Sequence, residues 1–337
     1  MNDNRPIGIG MIGGGAVAQL VHLPLLAERT DVEIRAFSDP DDVKCHALGK
    51  RFSIPRLVSD EELISDEEID AVFVHTPNHL HAGLVRRALE ADKHVLVESP
   101  LATSSGEARD LVALADARGL NLAVGVGHRF RPDVAALRGF VHEGRAGEIY
   151  SARVVWMNRS TLRRRNVWRS SGHTLAAGAL ADLGVRALDL LLWILGDPEI
   201  SSVYAIRTSE GDTPEDAANL MMKTKEGAAL TLEVSWALFA SEDRHYARVL
   251  GLEGSGQIEP LELFHCVGGR PMEITPNQDD GRRKGNRFLH AHRREHDHFL
   301  RAVRGHGTRI RHPEQIRLLE VLEAAYTSAA EDRSVEV

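Results

Sequence analysis

The chain of 337 residues is 43% hydrophobic and 27% charged with a net charge of −8, which is typical of a folded globular protein. Its basic and acidic residues are mixed along the sequence, which argues against a surface for nucleic acid or an anionic membrane. No apolar run is long enough to span a bilayer and the N-terminus lacks a signal-peptide core, so we expect a cytoplasmic protein. Cys45 and Cys266 are far apart and indicate neither a disulfide framework nor a metal site. The length favours two domains.

A glycine-rich turn follows the first predicted strand, residues 6–12. Gly13, Gly15 and Ala18 have the spacing of the G-x-G-x-x-G/A fingerprint, in which a tight turn leads into a helix that binds a dinucleotide pyrophosphate. Glycine lets the backbone approach the phosphates closely, and the free N–H groups at the start of the helix attract the anion. We therefore expect a cofactor-binding turn formed by Gly13, Gly14, Gly15, Ala16 and Val17.

An acidic residue, Asp39, follows the second predicted strand, residues 32–38. It lies 39 − 15 = 24 residues after Gly15, close to the roughly 20 expected for the acid that binds a ribose hydroxyl. With the glycine turn it predicts dinucleotide binding, and NAD in preference to NADP, because a carboxylate would repel the 2′-phosphate. The alternative is that Asp39 is only a turn residue or a helix cap before Pro40.

Strand and helix patterns alternate through the first 127 residues. Apolar runs predict strands at 6–12, 32–38, 71–76, 94–98 and 121–126, and helices are predicted at 15–28, 40–52, 79–92 and 103–118, with another short helix starting at Asp60. Pro24 should break or bend the first helix. This alternation predicts a parallel sheet with helices on both faces, which binds its ligands beyond the carboxyl ends of the strands. Two loops at that edge, Thr76–His81 and Glu98–Ala102, join a strand to a helix through a proline, a combination that turn chemistry alone does not predict.

After Gly127 the pattern changes. Helices are predicted at 131–143, 179–195, 286–304 and 313–330, and alternating strands at 148–158, 200–208, 218–224, 228–238, 245–252 and 261–266. The strands predict a mostly antiparallel sheet, so we divide the chain into a Rossmann domain, 1–127, and an α+β domain, 128–337. Too few helices follow the strands to cover both faces of that sheet, which predicts a homo-oligomer, a dimer or tetramer. No metal site is expected, because a solvated or packing role is favoured for the neighbouring residues His290, His292, His296 and His298.

These segments together resemble the Gfo/Idh/MocA family of NAD(P)-dependent oxidoreductases, such as glucose–fructose oxidoreductase and inositol dehydrogenase. The motifs that carry the resemblance span nearly the whole chain: Gly13–Ala18, His22–Pro24, Thr76–His81, Glu98–Ala102, His128–Pro132, Trp168-Arg169, Asp182–Asp189 and Ala324–Ala329. The resemblance implies a Rossmann domain, a second domain whose open sheet often forms the oligomer interface, and a sugar, cyclitol or related polyol as substrate. It also implies cofactor contacts from Thr76, Pro77, Asn78, His81, Glu98, Ser99, Arg129, Trp168 and Arg169.

The sequence departs from the family pattern at two positions. The family loop usually reads Glu-Lys-Pro, but Ser99 replaces the lysine, and the family helix usually reads Asp-x-Gly-x-His-x-x-Asp, but Arg186 replaces the histidine. In the family, that lysine and histidine lie at the substrate and commonly move the proton that accompanies the hydride. Serine is uncharged at neutral pH and arginine stays protonated, so neither suits general base catalysis. The remaining candidates for proton transfer are His128, His173 and Asp182.

Three functions remain open at this point. The protein is a redox enzyme with relocated acid–base groups, an NAD-binding enzyme that performs elimination or cleavage through transient oxidation, or a ligand-binding protein with a decayed catalytic site. Arg186 would bind an anionic or strongly polar group of the substrate, helped by an arginine-rich loop that contains Arg163, Arg164 and Arg165. Alternatively, Arg186 only pairs with Asp182 or Asp189 on its own helix.

Overall fold

The computed structural model describes residues 5–159, 177–208, 214–276 and 287–337. The chain forms two compact units. The first unit runs to Gly127 and takes up a later segment that ends at Pro313, and the second unit begins at His128 and resumes at Glu314. The sequence-based division placed all residues after 127 in the second domain and so did not predict that this later segment belongs to the first unit.

A six-stranded parallel sheet forms the centre of the first unit, in the order β3-β2-β1-β4-β5-β6. Its strands are β1 (Ile7–Ile12), β2 (Val32–Ser38), β3 (Arg56–Leu57), β4 (Ala71–Val74), β5 (His94–Glu98) and β6 (Leu122–Gly125). Every residue of β1 and β4 is buried, which is why both strands read as continuous apolar runs. The chain moves outward from β1 to β3 and then returns to β4 beside β1. Ligands bind such sheets at this reversal, beyond the carboxyl ends of the strands.

The helices that connect these strands lie close to their predicted positions: α1 (Leu23–Ala27), α2 (Asp42–Phe52), α3 (Asp60–Ser65), α4 (Asn78–Glu90) and α5 (Ser105–Arg118). The helix after β1 is distorted rather than broken. Residues Ala18–His22 form a π-helical turn, in which the N–H of Leu23 donates to the carbonyl of Ala18. The helix then continues through Pro24, the second residue of α1, so the proline does not end it. Such π-turns occur frequently at functional sites.

A nine-stranded sheet forms the second unit, in the order β14-β13-β12-β11-β7-β10-β9-β8-β15. Its strands are β7 (Ile149–Arg159), β8 (Ile200–Thr208), β9 (Ala217–Thr224), β10 (Ala229–Leu238), β11 (Arg244–Gly251), β12 (Gly254–Ile258), β13 (Glu262–Val267), β14 (Arg270–Glu273) and β15 (Val335–Glu336). Neighbouring strands are antiparallel except for the pair of β7 and β10. The predicted fold class, a Rossmann domain followed by an α+β domain with a mostly antiparallel sheet, is confirmed.

The described residues contain four further α-helices, in chain order α6 (Pro132–His142), α7 (Val185–Leu195), α8 (Arg287–Val303) and α9 (Glu314–Glu331). Helix α8 belongs to the first unit, and the other three pack on the sheet of the second unit. Strand β9 alternates buried and exposed residues over nearly its whole length, so only one of its faces is covered. The other face exposes Met221 and, on the neighbouring strand, Ile206. Within the described ranges, no helix is long and apolar enough to cross a membrane.

Candidate functional site

The glycine turn lies at the carboxyl end of β1. Gly13 has a φ of +95° and donates its N–H to the carbonyl of Ser38 at 2.8 Å, and an added Cβ would lie 2.5 Å from the carbonyl oxygen of His75. The fold itself therefore requires glycine at this position. At Gly15, by contrast, an added Cβ would meet no protein atom closer than 3.8 Å. Gly15 thus leaves open space at the start of the helix, where a phosphate group could approach.

Asp39 is fixed at the carboxyl end of β2, next to the glycine turn. Its side chain accepts hydrogen bonds from the N–H of Gly14 at 2.7 Å and the N–H of Asp41 at 2.9 Å, and pairs with the ammonium of Lys44 at 2.8 Å. Asp39 therefore stabilises the turn, which was one of the two structural roles considered as alternatives to ribose binding. It does not cap α2, because the capping side chain is that of Asp41.

A cavity of about 810 Å³ opens at this edge of the first unit. It is lined by the ends of β1, β2 and β4 and by the start of α4, including Gly13, Asp39, Thr76 and Leu80. Its volume lies within the range of about 300–1,000 Å³ that is usual for cofactor and small-molecule sites. Asp39 thus both braces the turn and faces a space large enough for part of a dinucleotide.

The two proline loops are joined to each other by His81. Its buried ring places Nδ1 2.6 Å from the carbonyl of Pro100 and Nε2 2.9 Å from the carbonyl of Thr76. Burial lowers the pKa of His81, although both carbonyl contacts oppose that effect. His81 therefore positions both loops. Pro77 occupies the N-cap position of α4 without a capping hydrogen bond from its side chain, and Asn78, the first residue of that helix, is buried.

The two proline loops carry two buried hydroxyl groups, those of Thr76 and Ser99. In the described part of the chain, neither Thr76 Oγ1 nor Ser99 Oγ has a hydrogen-bond partner, although both atoms are buried. Buried polar atoms in native proteins are nearly always satisfied by protein, water or a ligand. These two hydroxyl groups, together with the cradle beside Gly15, fit a polar cofactor at this edge.

Beside these loops, a buried histidine cluster surrounds the carboxylate of Glu98 at the end of β5. Glu98 Oε1 lies 2.9 Å from His22 Nε2 and 3.4 Å from His75 Nδ1. His22 Nδ1 lies 2.8 Å from Nε2 of His296 on α8. Burial lowers the pKa of His22 to about 4 and holds that of His296 well below its usual value. Burial by itself would raise the pKa of Glu98, but the contacts with His22 and His75 outweigh it and hold that pKa well below its usual range.

In the second unit, Asp189 of α7 accepts hydrogen bonds from three side chains. His128 Nε2 lies 2.7 Å from Asp189 Oδ2, Arg129 donates to both carboxylate oxygens, and Gln315 Nε2 donates to Oδ1 at 2.7 Å. Burial by itself would raise the pKa of Asp189, but the charge of Arg129 and the hydrogen bond from His128 hold it well below its usual range. Burial lowers the pKa of His128. The result is a largely buried neutral imidazole that is oriented by an ionised carboxylate.

Arg186 and Asp182 lie on one helical segment of the second unit. Asp182 stands in a second π-helical turn, Leu180–Gly184, that leads into α7. A guanidinium nitrogen of Arg186 lies 3.7 Å from Asp182 Oδ1, and about a third of the Arg186 side chain is exposed. The sequence left Asp182 and Asp189 open as ion-pair partners of Arg186, and the structure places Asp182 beside it. The long distance and the exposure leave the guanidinium accessible to a ligand.

The first unit thus brings together the glycine turn, Asp39 and both proline loops, and the second unit holds Asp182, Arg186, His128 and Arg129. Arg129 also donates to Glu314 at 2.6 Å, and its contact with a cofactor stays a prediction. Six sequence-predicted residues lie outside the described ranges: Arg163, Arg164, Arg165, Trp168, Arg169 and His173.

Four residues of these constellations had no site role in the sequence-based prediction: His22, His75, Asp189 and His296. His22 stands in the His-Leu-Pro motif, His75 directly precedes the Thr76 loop, and Asp189 ends the helix motif, so all three carried a signal. His296 was expected to be solvated or packed. Its ring is buried and contacts His22, a pairing across 274 positions that the local sequence does not indicate.

Comparison with known proteins gives consistent matches along both units. The model of the GFO/IDH/MocA oxidoreductase family, NAD-binding Rossmann fold, matches residues 7–126, and that of its C-terminal alpha/beta domain matches residues 138–337. The chain is 27% identical to D-glucoside 3-dehydrogenase of Escherichia coli, covering 97% of this chain and 96% of the relative. It is 26% identical to D-xylose 1-dehydrogenase (NADP(+)) 2 of Haloferax volcanii, covering 97% and 99%. The crystal structure of GenD2 from gentamicin A biosynthesis in complex with NAD is 26% identical, with a TM-score of 0.84 and coverage of 100% and 98%.

Proposed function

Since the chain belongs to the GFO/IDH/MocA family of NAD-binding oxidoreductases, we propose that it is an NAD-dependent dehydrogenase of a sugar, cyclitol or related polyol. The observation that carries this proposal is the pairing of His128 with Asp189, which provides a proton acceptor although the lysine and histidine usual in the family are replaced. The relatives named as dehydrogenases of a glucoside and of xylose support the substrate class.

The cofactor-binding residues act at the carboxyl edge of the first sheet. A bound NAD would supply the hydride acceptor for the carbon that bears the reacting hydroxyl group. The N–H groups of Gly15, Ala16 and Val17 would bind the pyrophosphate, whereas those of Gly13 and Gly14 already donate to Ser38 and Asp39 within the turn. Asp39 would accept hydrogen bonds from the adenosine ribose. The hydroxyl groups of Thr76 and Ser99, which have no partner in the described ranges, would hydrogen-bond the cofactor or the substrate.

The proton of the substrate hydroxyl passes to His128 in this proposal. With Nε2 hydrogen-bonded to Asp189, the imidazole is held in one orientation, and Nδ1 remains to accept a proton. Asp189 is a positioning residue that also stabilises the imidazolium once it forms. Arg186, which lies 3.7 Å from Asp182, would bind an anionic or strongly polar group of the substrate. His173 is a second candidate for proton transfer.

The two departures from the family pattern give the test of function. We expect the wild-type protein to reduce NAD with neutral or acidic polyols, and the double variant Ser99→Lys with Arg186→His to lose that activity, because Arg186 no longer binds the substrate. NADH absorbance measures both reactions. If the wild-type protein binds NAD without turnover and the double variant gains dehydrogenase activity, the protein is a decayed dehydrogenase. Release of a cleaved or dehydrated product without net NADH would instead favour elimination through transient oxidation.

The carboxylate of Asp39 is expected to select NAD over NADP. The variant Asp39→Ser removes the repulsion of the 2′-phosphate and leaves Lys44 to pair with it, so the ratio of the two Kd values should shift towards NADP by about tenfold or more, or about 1.4 kcal/mol. Titration of both cofactors against intrinsic fluorescence measures this ratio. Asp110→Ser, at an exposed position of α5 outside this cavity, is the control and should leave the ratio unchanged. Equal or tighter binding of NADP by the wild-type protein contradicts the assignment.

We also propose that the second unit forms a homo-oligomer, a dimer or tetramer, through the open face of its sheet. Met221 and Ile206 are more than half exposed on that face, and apolar groups on an open sheet favour a partner surface. Light scattering should therefore give at least twice the mass of one chain. The mass of a single chain across a wide concentration range would contradict this expectation.

A further inference from the structure

We propose that His22, His75 and Glu98 of the first unit bind a divalent transition-metal ion, and that zinc is the ion they suit best. Two imidazoles and one carboxylate are a ligand set that zinc uses in catalytic sites, where a fourth position stays open. The proposal goes beyond the function above, in which Glu98 belongs to a cofactor loop and neither histidine has a role. It also departs from the sequence-based expectation that the chain has no metal site.

The distances between the ligand atoms fit one ion. Tetrahedral zinc with bonds of about 2.0–2.2 Å places its ligand atoms about 3.3–3.6 Å apart. Glu98 Oε1 lies 2.9 Å from His22 Nε2 and 3.4 Å from His75 Nδ1, and the ligand atoms of all three residues lie within 4.8 Å of one another. Only a small approach of the two imidazole rings is needed for all three atoms to reach a common ion.

His75 gives an independent indication of a ligand. Its side chain is 2% exposed, and its Nδ1 lies 3.4 Å from Glu98 Oε1. In the part of the chain that the structure describes, neither ring nitrogen makes a contact with hydrogen-bond geometry. A buried polar atom without a hydrogen bond is unfavourable, so the position of Nδ1 beside Glu98 needs an explanation. A bond from a ring nitrogen of His75 to a metal ion provides one.

The charge at the site also favours a cation. The ion-pair contacts of the Glu98 carboxylate in the described ranges are with His22 and His75, and no lysine or arginine pairs with it there. The next residue, Ser99, is uncharged. A largely buried carboxylate is costly unless a positive charge compensates it, and a divalent cation supplies that charge.

The surroundings of His22 provide the outer support that metal sites use. A ligating histidine usually donates its other ring N–H to a neighbour, which fixes the tautomer. His22 Nδ1 lies 2.8 Å from His296 Nε2, so donation in that direction leaves His22 Nε2 unprotonated and facing Glu98. The π-helical turn that ends at His22 places its ring over His75, with 4.1 Å between the ring centroids.

The test is a titration of the full chain, stripped with a chelator, with Co²⁺ and then Zn²⁺ in the absence of cofactor and substrate. We expect one equivalent of Co²⁺ with visible absorption bands of low-symmetry coordination, and its displacement by Zn²⁺. His22→Asn and His75→Asn should each weaken binding by about a hundredfold or more, since even outer-shell changes cost about 10–100-fold. His290→Asn, at an exposed histidine of α8, is the matched control and should bind as the wild-type protein does.

A second variant keeps the proposal testable if the asparagine variants fold poorly. His75→Cys replaces one ligand with another, so it should still bind one Co²⁺ and add a thiolate-to-metal charge-transfer band. A residue with only a structural role would produce no such band. Wild-type binding no stronger than that of His22→Asn, or a folded His75→Cys protein without the band, would overturn the site. The titration uses neither NAD nor substrate. A negative result would therefore exclude the metal site without bearing on the proposed dehydrogenase function, which is tested separately.

Discussion

Replacement of His128 by glutamine is expected to lower kcat for polyol oxidation by about 10²–10⁴, the usual contribution of a general base. Glutamine is close to histidine in size and can still donate a hydrogen bond to Asp189, but it cannot accept the substrate proton. The Kd of NAD, measured by fluorescence, should stay unchanged, because the glycine turn and Asp39 are untouched. Initial rates of NADH formation measure the loss.

His245 supplies the matched control for this variant. His128 and His245 both contact the ring of Trp156, with centroid distances of 6.1 and 4.8 Å, and burial lowers the pKa of both. His245 Nε2 is paired with Asn158, an amide that does not orient a base as a carboxylate does. We therefore expect His245→Gln to retain the wild-type kcat. A larger loss of kcat in His245→Gln than in His128→Gln would indicate that His245, and not His128, is the general base.

The pH dependence of the rate separates a base from a structural residue. Because burial lowers the pKa of His128 from its ordinary value near 6.5, the imidazole is neutral at pH 7 and the rate should fall only in more acidic solution. That acid limb should disappear in His128→Gln, whose residual activity depends on water. An unchanged acid limb in the variant would show that another group, such as His173, accepts the proton.

Regular periodicity made the sheets predictable. The fully buried strands β1 and β4 read as continuous apolar runs, and β9, which is buried on one face, reads as an alternation. The strands missed by the prediction were short or rich in glycine, such as Arg56–Leu57 and Gly254–Ile258. A strand of two residues is too short to show an alternation of apolar and polar residues. Whether such a segment pairs as a strand depends on the strands beside it.

The residues of the candidate sites also fall into a group that local sequence patterns predicted and a group that they did not. The glycine turn, Asp39 and the proline loops were predictable because each is a local motif next to a strand end. The π-turn at Ala18–His22 was not, since proline rules alone predict a break or bend at Pro24. The contact between His22 and His296 depends on the return of α8 to the first unit, which no local pattern encodes.

Replacement of Asp189 by asparagine is expected to lower the free energy of unfolding of the second unit by about 3–5 kcal/mol, the usual cost of removing one partner from a buried ion pair. The side chain of Asp189 is 1% exposed and that of Arg129 is 5% exposed, so water cannot replace the lost charge. Asparagine keeps the shape of the residue and one acceptor oxygen, so the cost comes from charge rather than from a cavity. Thermal unfolding followed by circular dichroism measures the change.

The sign of the pH dependence gives the decisive comparison. The pKa of Asp189 in the folded protein lies well below its unfolded value of about 3.9, so its stabilisation is complete above that value and is lost as the pH falls below it. The wild-type protein and Asp189→Asn should therefore differ most near pH 7 and converge in strong acid. Glu199→Gln, which breaks an exposed pair with Lys225, is the control and should unfold as the wild-type protein does at neutral pH. An Asp189→Asn protein with the wild-type unfolding midpoint at neutral pH would mean that Glu314 alone compensates Arg129, and that Asp189 serves only to orient His128.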